Sequence, residues 1–302
     1  MQELVKKIDE LKKKKNAVIL AHNYQVEEVQ EIADYLGDSL ELSRLAAKVE
    51  HDIIVFAGVK FMAETAKILS PQKKVLLPRL DAGCPMADMI TVAELRELKQ
   101  EHPRARVVTY VNSSVEIKAE SDACCTSANA VKVVGHIDAP EIIFVPDRNL
   151  GSYVQKVLGA EKKIILYEGY CYVHNRIKKE EILEMKRLYP EAKVVVHPEA
   201  KMEVIELADQ VLSTSGMLKY TAQSTDKQFI IGTEQGLIER MKRENPGKEF
   251  YPALKAKICS NMKKTGLIDI VNALEYDRYE IEIAEEISHK AVKALNAMLK
   301  YI

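Results

Sequence analysis

The sequence predicts an α/β protein made of three homologous units with mainly parallel sheets, arranged around a pseudo-threefold axis. Two observations predict this class. Short β-branched runs alternate with helical stretches, which is typical of parallel α/β layers. A set of positions also recurs along the chain at steps of 88 and 87 residues, as in Asp34, Asp122 and Asp209, and such a period indicates internal triplication.

Each repeat begins with a strand-like run and continues with two more. The first strands are predicted at 18–21, 107–109 and 194–196, and the second at 53–56, 142–144 and 229–231. The third apolar run is clear at 75–77 and 164–166 and weaker at 251–254. We therefore divide the chain into an N-terminal helix at 1–16, repeats at 17–104, 105–191 and 192–270, and a C-terminal helical tail at 271–302.

Composition excludes several classes of function. The chain carries 44 basic and 45 acidic residues and has a pI near 6.7, so it has no basic excess for nucleic acid or an anionic membrane. Its apolar runs are shorter than the roughly 20 residues of a membrane span, and its first residues lack the apolar region of a signal peptide. We expect a cytoplasmic protein that binds neither nucleic acid nor membrane.

Three of the five cysteines share the phase of the repeat. Cys84, Cys171 and Cys259 stand 87 and 88 residues apart, on turns after a strand, where α/β proteins place their active sites. Three thiolates with one open position predict a catalytic [4Fe-4S] cluster with one open iron, and a zinc site with an open ligand is the less favoured alternative. The open metal would act as a Lewis acid in elimination, dehydration or condensation chemistry. We interpret the adjacent pair Cys124 and Cys125 as small helix-packing residues.

Polar side chains follow the first strand of each repeat and should converge on the same axis. They are His22, Tyr24, Tyr110, Asn112, His197 and Glu199. Glu199 is the only carboxylate among them, which makes it the natural general base, while His22 and His197 can donate hydrogen bonds or move protons.

A hydroxyl side chain recurs five residues after each repeated aspartate. Ser39, Ser127 and Thr214 stand at or just before helix starts, where hydroxyl groups and free N–H groups bind anions. Three such positions around one pocket suit a small ligand with several carboxylates or a phosphate.

Several segments together resemble the quinolinate synthase family over about residues 17–265. The segments are Ala21-His22-Asn23-Tyr24-Gln25, Gly37-Asp38-Ser39-Leu40, Tyr110-Val111-Asn112-Ser113, Cys125-Thr126-Ser127-Ala128-Asn129-Ala130, Pro146-Asp147-Arg148-Asn149-Leu150-Gly151, Val196-His197-Pro198-Glu199 and Asn261-Met262-Lys263-Lys264. The resemblance implies three similar α/β/α domains in a triangle around one [4Fe-4S] cluster. It also implies condensation of iminosuccinate with dihydroxyacetone phosphate to quinolinate, phosphate and water in NAD biosynthesis, with functional coupling to an L-aspartate oxidase or dehydrogenase.

The resemblance also implies a role for individual residues. It makes Cys84, Cys171 and Cys259 the cluster ligands, and Tyr24 and Glu199, assisted by His197, the proton-transfer groups. The implied substrate-binding positions are His22, Ser39, Tyr110, Asn112, Ser127, His197, Glu199 and Thr214. Some bacterial members carry a Cys-x-x-Cys-x-x-Cys run near the third ligand, whereas this chain has only Cys259 there, which indicates a short form without a local disulfide switch.

Two other functions are compatible with the same residues. An iron–sulfur hydro-lyase acting on a hydroxy-acid would use the open iron for dehydration alone. A non-catalytic cluster-based sensor would need the cysteines but neither Glu199 nor Tyr24.

Overall fold

The computed structural model describes residues 1–301, so residue 302 of the predicted helical tail lies outside the described residues. The strands are β1 Ala17–His22, β2 Tyr35–Gly37, β3 Ile53–Ala57, β4 Lys74–Leu76, β5 Arg106–Tyr110, β6 Ala123–Cys125, β7 Glu141–Val145, β8 Lys163–Leu166, β9 Lys193–Val196, β10 Gln210–Val211, β11 Gln228–Gly232 and β12 Glu249–Pro252. The helices are α1 Gln2–Lys15, α2 Glu27–Ile32, α3 Ser39–Lys48, α4 Lys60–Leu69, α5 Val92–Glu101, α6 Val115–Ala119, α7 Ala130–His136, α8 Arg148–Leu158, α9 Lys179–Leu188, α10 Met202–Ile205, α11 Thr214–Gln223, α12 Gln235–Glu244, α13 Leu267–Tyr276 and α14 Glu285–Leu299.

The strands form three sheets with the same topology. Their orders are β2-β1-β3-β4, β6-β5-β7-β8 and β10-β9-β11-β12, and every pairing within them is parallel. The central strands β1 and β3 are buried along their whole length, as expected for parallel sheets covered on both faces. The prediction of three α/β/α units is confirmed. The exact domain limits stay a prediction.

Helices cover both faces of each sheet. In the first sheet, Ile19 packs with α1 and α13 on one face, while the next residue, Leu20, packs with α3 and α4 on the other, because successive strand residues point to opposite faces. The inner helical layers of the three units meet in one apolar cluster, which contains Leu20, Phe144 and Phe229. Helix α14 packs on α6 and β6 of the second unit. This shared core places the carboxyl ends of the three sheets around a common centre.

The sequence analysis did not predict the short edge strands β2, β6 and β10. Each of them is held by the repeated aspartate. The carboxylates of Asp34, Asp122 and Asp209 accept the backbone N–H of Ile19, Val107 and Val194 at 2.8, 2.7 and 2.7 Å. The backbone N–H of each aspartate donates to the carbonyl of the same partner at 3.0, 3.0 and 2.8 Å. The aspartate repeat is therefore structural, since each aspartate bonds one backbone N–H and one carbonyl of the first strand of its unit, next to the short edge strand.

Asp122→Ala is expected to lower the free energy of unfolding by roughly 1–3 kcal/mol, because it leaves the buried N–H of Val107 without an acceptor. The matched control is Arg106→Gln, which removes only the exposed ion pair of Arg106 with Asp122 and should cost under about 1 kcal/mol. Urea unfolding of both variants measures the difference. Equal losses in the two variants would show that the exposed ion pair, not the backbone hydrogen bond, carries the effect.

Cys124 and Cys125 are fully buried in the apolar core. They lie in strand β6, on which helix α14 packs, so these small side chains belong to a sheet that is covered by a helix. Among the described residues, no helix combines the length and the apolar character needed to cross a membrane.

Candidate active site

One cavity collects the carboxyl ends of all three sheets. Its volume is about 70 Å³. Every predicted site residue lines it: His22, Tyr24, Ser39, Cys84, Tyr110, Asn112, Ser127, Cys171, His197, Glu199, Thr214 and Cys259. Residues up to 237 positions apart in the chain therefore share one pocket, while the role of each stays a prediction.

One repeated backbone hydrogen bond holds the three cysteine loops. The first residue of α4, α8 and α12 donates its N–H to the carbonyl that stands two residues before each cysteine. The bonds run from Lys60 to Ala82, from Arg148 to Gly169 and from Gln235 to Lys257, at 2.8, 2.9 and 2.8 Å. The repeat thus brings each thiol to the cavity from an equivalent loop, tied to the helix that precedes it.

The thiols are protonated in this environment. Burial raises the pKa of Cys84 to about 12, and burial also raises the pKa of Cys171, with a further contribution from the negative charge of Glu199. The pKa of Cys259 is raised by burial as well. A bound metal ion ionises a coordinating thiol outright, because thiolate is the ligand. Without a metal, the three side chains are therefore poorly suited to act as free nucleophiles.

The cavity offers two sets of metal ligands that differ in size. Ligand atoms of Cys171, His174 and Glu199 all lie within 4.8 Å of one another, close enough to share one ion. Across residues 1–301, the sulfurs of Cys84, Cys171 and Cys259 do not form so compact a group. A tetrahedral zinc ion would need sulfurs about 3.8 Å apart, given its Zn–S bond length. The three sulfurs of the cysteines are therefore spaced more widely than the ligands of a single tetrahedral zinc ion.

Glu199 is buried between two imidazoles. Its Oε2 lies 2.5 Å from Nδ1 of His174 and 3.4 Å from Nδ1 of His197. Its Oε1 is buried without a hydrogen-bond partner in the described chain. Burial by itself would raise the pKa of Glu199, but the imidazoles and the hydrogen bonds from His174 and Tyr110 hold that pKa at about 2. Glu199 is therefore ionised at neutral pH and keeps one oxygen free for a ligand.

His174 is a site residue that the sequence analysis did not predict. Its imidazole ring stacks on that of His197 with the two centroids 4.4 Å apart, and its Nδ1 lies 3.3 Å from Sγ of Cys171. The repeat could not have identified it, because Ala87 and Met262 stand at the equivalent positions, three residues after the other two cysteines. The only available signal was the spacing of a histidine three residues after a cysteine, which is weak by itself.

A chain of hydrogen bonds joins Tyr24 to Glu199. The Tyr24 hydroxyl lies 2.7 Å from the Thr233 hydroxyl, which lies 2.9 Å from Nε2 of His174. The same imidazole contacts Glu199 through its other nitrogen, Nδ1. Burial raises the pKa of Tyr24 well above its usual range, so its hydroxyl keeps its proton. The arrangement connects a proton donor and a carboxylate through one imidazole.

Two of the predicted anion-binding hydroxyls occupy the first residue of a helix. Ser39 begins α3 after the N-cap Asp38, and Thr214 begins α11 after the N-cap Ser213. The Ser213 hydroxyl donates to the Asp38 carboxylate at 3.2 Å, which joins the two helix starts across the boundary between units. The N-cap side chains already accept the N–H groups of Leu40 and Glu41 in α3 and of Gly216 in α11. The groups that remain for a ligand are those of the first helical residues, Ser39 and Thr214, which line the cavity.

The third hydroxyl stands slightly before its helix. Ser127 precedes the start of α7 by three residues, and its Oγ lies 3.2 Å from Nε2 of His197. Nearby, Oδ1 of Asn112 is buried without a partner in the described chain. These polar atoms leave the second unit with hydrogen-bonding capacity for a ligand in the cavity.

The stability of the cluster-free protein is expected to fall as the pH drops below about 6.5. Burial lowers the pKa of both His22 and His197 to about 3. Below pH 6.5 these two histidines are therefore protonated in the unfolded chain but still neutral in the folded chain. Each of the two histidines then lowers the free energy of unfolding by up to roughly 1.4 kcal/mol per pH unit, until the pH reaches about 3. The loss of the ionised form of Glu199 acts in the same direction below pH 4.5.

Urea unfolding of the parent and of His22→Asn between pH 7.5 and 5 measures this dependence. The variant should show a shallower slope, because it has one buried histidine fewer. A surface control is His289→Asn, which removes an exposed histidine and should keep the parent slope. Equal slopes for the parent and His22→Asn would contradict the assignment of the effect to His22.

Comparison with known proteins places this chain among one group of enzymes. The model of the family described as "Quinolinate synthetase A protein" matches residues 6–300. The quinolinate synthase of Thermodesulfovibrio yellowstonii is 56% identical over 298 residues, which are 99% of this chain and 98% of that protein. The quinolinate synthase of Geobacter sp. strain M21 is 56% identical over 299 residues, 99% and 98% of the two chains. Quinolinate synthase 2 of Methanosarcina acetivorans is 53% identical over 296 residues, 98% and 95% of the two chains.

Proposed function

Because this chain belongs to the quinolinate synthase family, we propose that it condenses iminosuccinate with dihydroxyacetone phosphate to quinolinate, phosphate and water, as a transferase-type enzyme of NAD biosynthesis. One observation carries the proposal beyond the family assignment. Three cysteines, the ionised Glu199 and two helix starts with hydroxyl side chains all face one cavity. The product is a dicarboxylate and one substrate is a phosphate ester, and the hydroxyl groups at the helix starts can donate hydrogen bonds to both kinds of anion.

We propose that Cys84, Cys171 and Cys259 hold one [4Fe-4S] cluster with an open iron. The number of thiols, their shared phase in the repeat and their place around one cavity support this assignment. When bound, the cluster would supply a Lewis acid that polarises a substrate hydroxyl or carbonyl. The compact group of Cys171, His174 and Glu199 then lies at the edge of the cluster site.

The helix starts are proposed to bind the anionic ends of the substrates. Ser39 and Thr214 offer hydroxyl and backbone N–H donors at the positive ends of α3 and α11, and Ser127 adds a hydroxyl from the second unit. Such groups bind carboxylate and phosphate oxygens without needing a cationic side chain. Anchoring both substrates in this way holds the reacting atoms together, which can contribute several kcal/mol to catalysis.

Glu199 and Tyr24 are proposed to move the protons. Because the pKa of Glu199 is about 2, its carboxylate takes a proton efficiently only from a group that has itself been acidified. Once Tyr24 has given its hydroxyl proton to the substrate, His174 can return a proton to it, taken from Glu199 at Nδ1 and passed on through Thr233 at Nε2. His197, held neutral by burial, can hydrogen-bond substrate next to Ser127.

The proposal includes the source of the imine and the place of the reaction. Iminosuccinate hydrolyses in water, so an L-aspartate oxidase or dehydrogenase must supply it as it is consumed, and we place both enzymes in the cytoplasm. A complex between them is not needed for the chemistry of this cavity.

Anaerobically reconstituted protein tests the function directly. It is given freshly generated iminosuccinate with dihydroxyacetone phosphate, and quinolinate is measured by chromatography. The expected result is quinolinate and phosphate in equal amounts, and no quinolinate when dihydroxyacetone phosphate is omitted. Absence of product from protein with a full iron content would overturn the proposal. Turnover without dihydroxyacetone phosphate would favour the hydro-lyase alternative.

A further inference from the structure

Lys263 belongs to a segment that resembles the family, yet the proposed mechanism does not use it. Its Nζ lies between two groups from different units of the fold. It contacts the Glu234 carboxylate at 3.1 Å and donates to the backbone carbonyl of Tyr24 at 2.6 Å. We propose that Lys263 and Glu234 are positioning residues that couple the Cys259 loop to the strand end that carries Tyr24. This inference rests on the proposed roles of Cys259 and Tyr24.

Glu234 forms the end of this connection next to the cluster ligand. It is fully buried, and its Oε1 accepts the backbone N–H of Cys259 at 3.2 Å. Its Oε2 accepts the N–H of Gly236 at 2.7 Å as the N-cap of α12. Since one carboxylate bonds both Cys259 and Lys263, three contacts in series connect the Cys259 loop with Tyr24.

Gly236 provides the space in which the ion pair lies. A Cβ atom at this position would stand 2.6 Å from Nζ of Lys263, 3.0 Å from Oε2 of Glu234 and 3.1 Å from the carbonyl of Gln25. These distances are too short for a side chain, so any residue larger than glycine would displace the lysine. The backbone is therefore close-packed around the lysine head group, which fixes its position.

The other two units show that the fold does not require the lysine. Asp147 is the equivalent of Glu234 in the second unit, where it caps α8 and accepts the N–H of Cys171 at 3.0 Å. Asn175 occupies the position there that corresponds to Lys263. In the first unit Val59 stands before α4, without a side-chain cap. A cysteine loop is thus held in the second unit without a lysine, and the contact that is particular to Lys263 is the one to Tyr24.

The pair should act as a unit because it is largely buried. Removing one partner of a buried ion pair leaves an uncompensated charge and is strongly destabilising, whereas replacing both by neutral groups costs much less. This asymmetry separates a structural effect from a positioning effect. Stability should recover in the double variant, but the donor to the Tyr24 carbonyl is absent from it.

The experiment compares Lys263→Met, Glu234→Gln, the double variant and the control Lys264→Met, all reconstituted anaerobically. Lys264 is the adjacent lysine and donates to the backbone carbonyl of Asp81 at the surface. Three quantities are measured: iron per chain, kcat and KM for quinolinate formation, and amide hydrogen exchange in segments 20–26 and 256–262. Urea unfolding gives the stability of each protein.

For Lys263→Met we expect kcat to fall roughly 10- to 100-fold, KM and iron content to stay near the parent values, and exchange to rise in both segments. The double variant should regain stability but keep the low kcat, and Lys264→Met should resemble the parent. Recovery of kcat together with stability in the double variant would overturn the proposal, as would faster exchange confined to 256–262. If the parent forms no quinolinate, the proposed function fails, while the exchange data still decide whether the two segments are coupled.

Discussion

Cys171→Ala is expected to abolish quinolinate formation and to leave the chain unable to hold a full cluster. A four-iron cluster that is bound by three protein thiolates keeps only two of them when one cysteine is replaced. Cys171 also lies closest to the groups proposed to move protons, since its Sγ is 3.3 Å from Nδ1 of His174. The loss should therefore be complete within detection, and iron and sulfide contents should fall with it.

The chain provides a matched control in Cys124→Ala. Cys124 is fully buried in the core, away from the lining of the cavity, and losing its sulfur should cost about 1 kcal/mol of stability without loss of iron or activity. Iron, sulfide and turnover of both variants are measured after anaerobic reconstitution. Full iron content in Cys171→Ala would remove this residue from the ligand set. Iron lost equally from both variants would indicate a general effect of cysteine substitution on folding.

Glu199→Gln is expected to lower kcat by roughly 10²- to 10⁴-fold, the usual contribution of a positioned acid–base group. The amide has the same size and still reaches His174, so iron content should match the parent. It cannot accept the substrate proton, and its NH₂ group places a donor where the free Oε1 now faces the cavity. Single-turnover kinetics of the reconstituted variant measure the chemical step apart from product release.

The control for this change is Glu168→Gln. Glu168 stands three residues before Cys171 and forms an exposed ion pair with Arg148 at 2.7 Å, so its loss should leave kcat near the parent value. Parent-like activity in Glu199→Gln would refute the assignment of proton transfer to this carboxylate.

The fold could be predicted because parallel, doubly covered strands produce continuous apolar runs. Each predicted first and second strand overlaps a strand of the structure, for example 18–21 with Ala17–His22 and 229–231 with Gln228–Gly232. The edge strands could not be predicted in this way, because Gln210–Val211 is two residues long and no apolar period is visible over so short a run. These strands depend on a side-chain bond from the repeated aspartate, whose role became clear only from the structure.

By itself, the sequence determined the triplication, the α/β class, and the set of cysteines, hydroxyls and strand-end polar residues that face one centre. It could do so because a repeated topology gives equivalent residues equivalent places. Only the tertiary structure decided how the units meet. The contact of His174 with Tyr24 joins residues 150 apart in the chain, and that of Lys263 with Tyr24 joins residues 239 apart. Such contacts break the repeat, because they depend on the packing of different units against one another and on a glycine that leaves room for a single lysine.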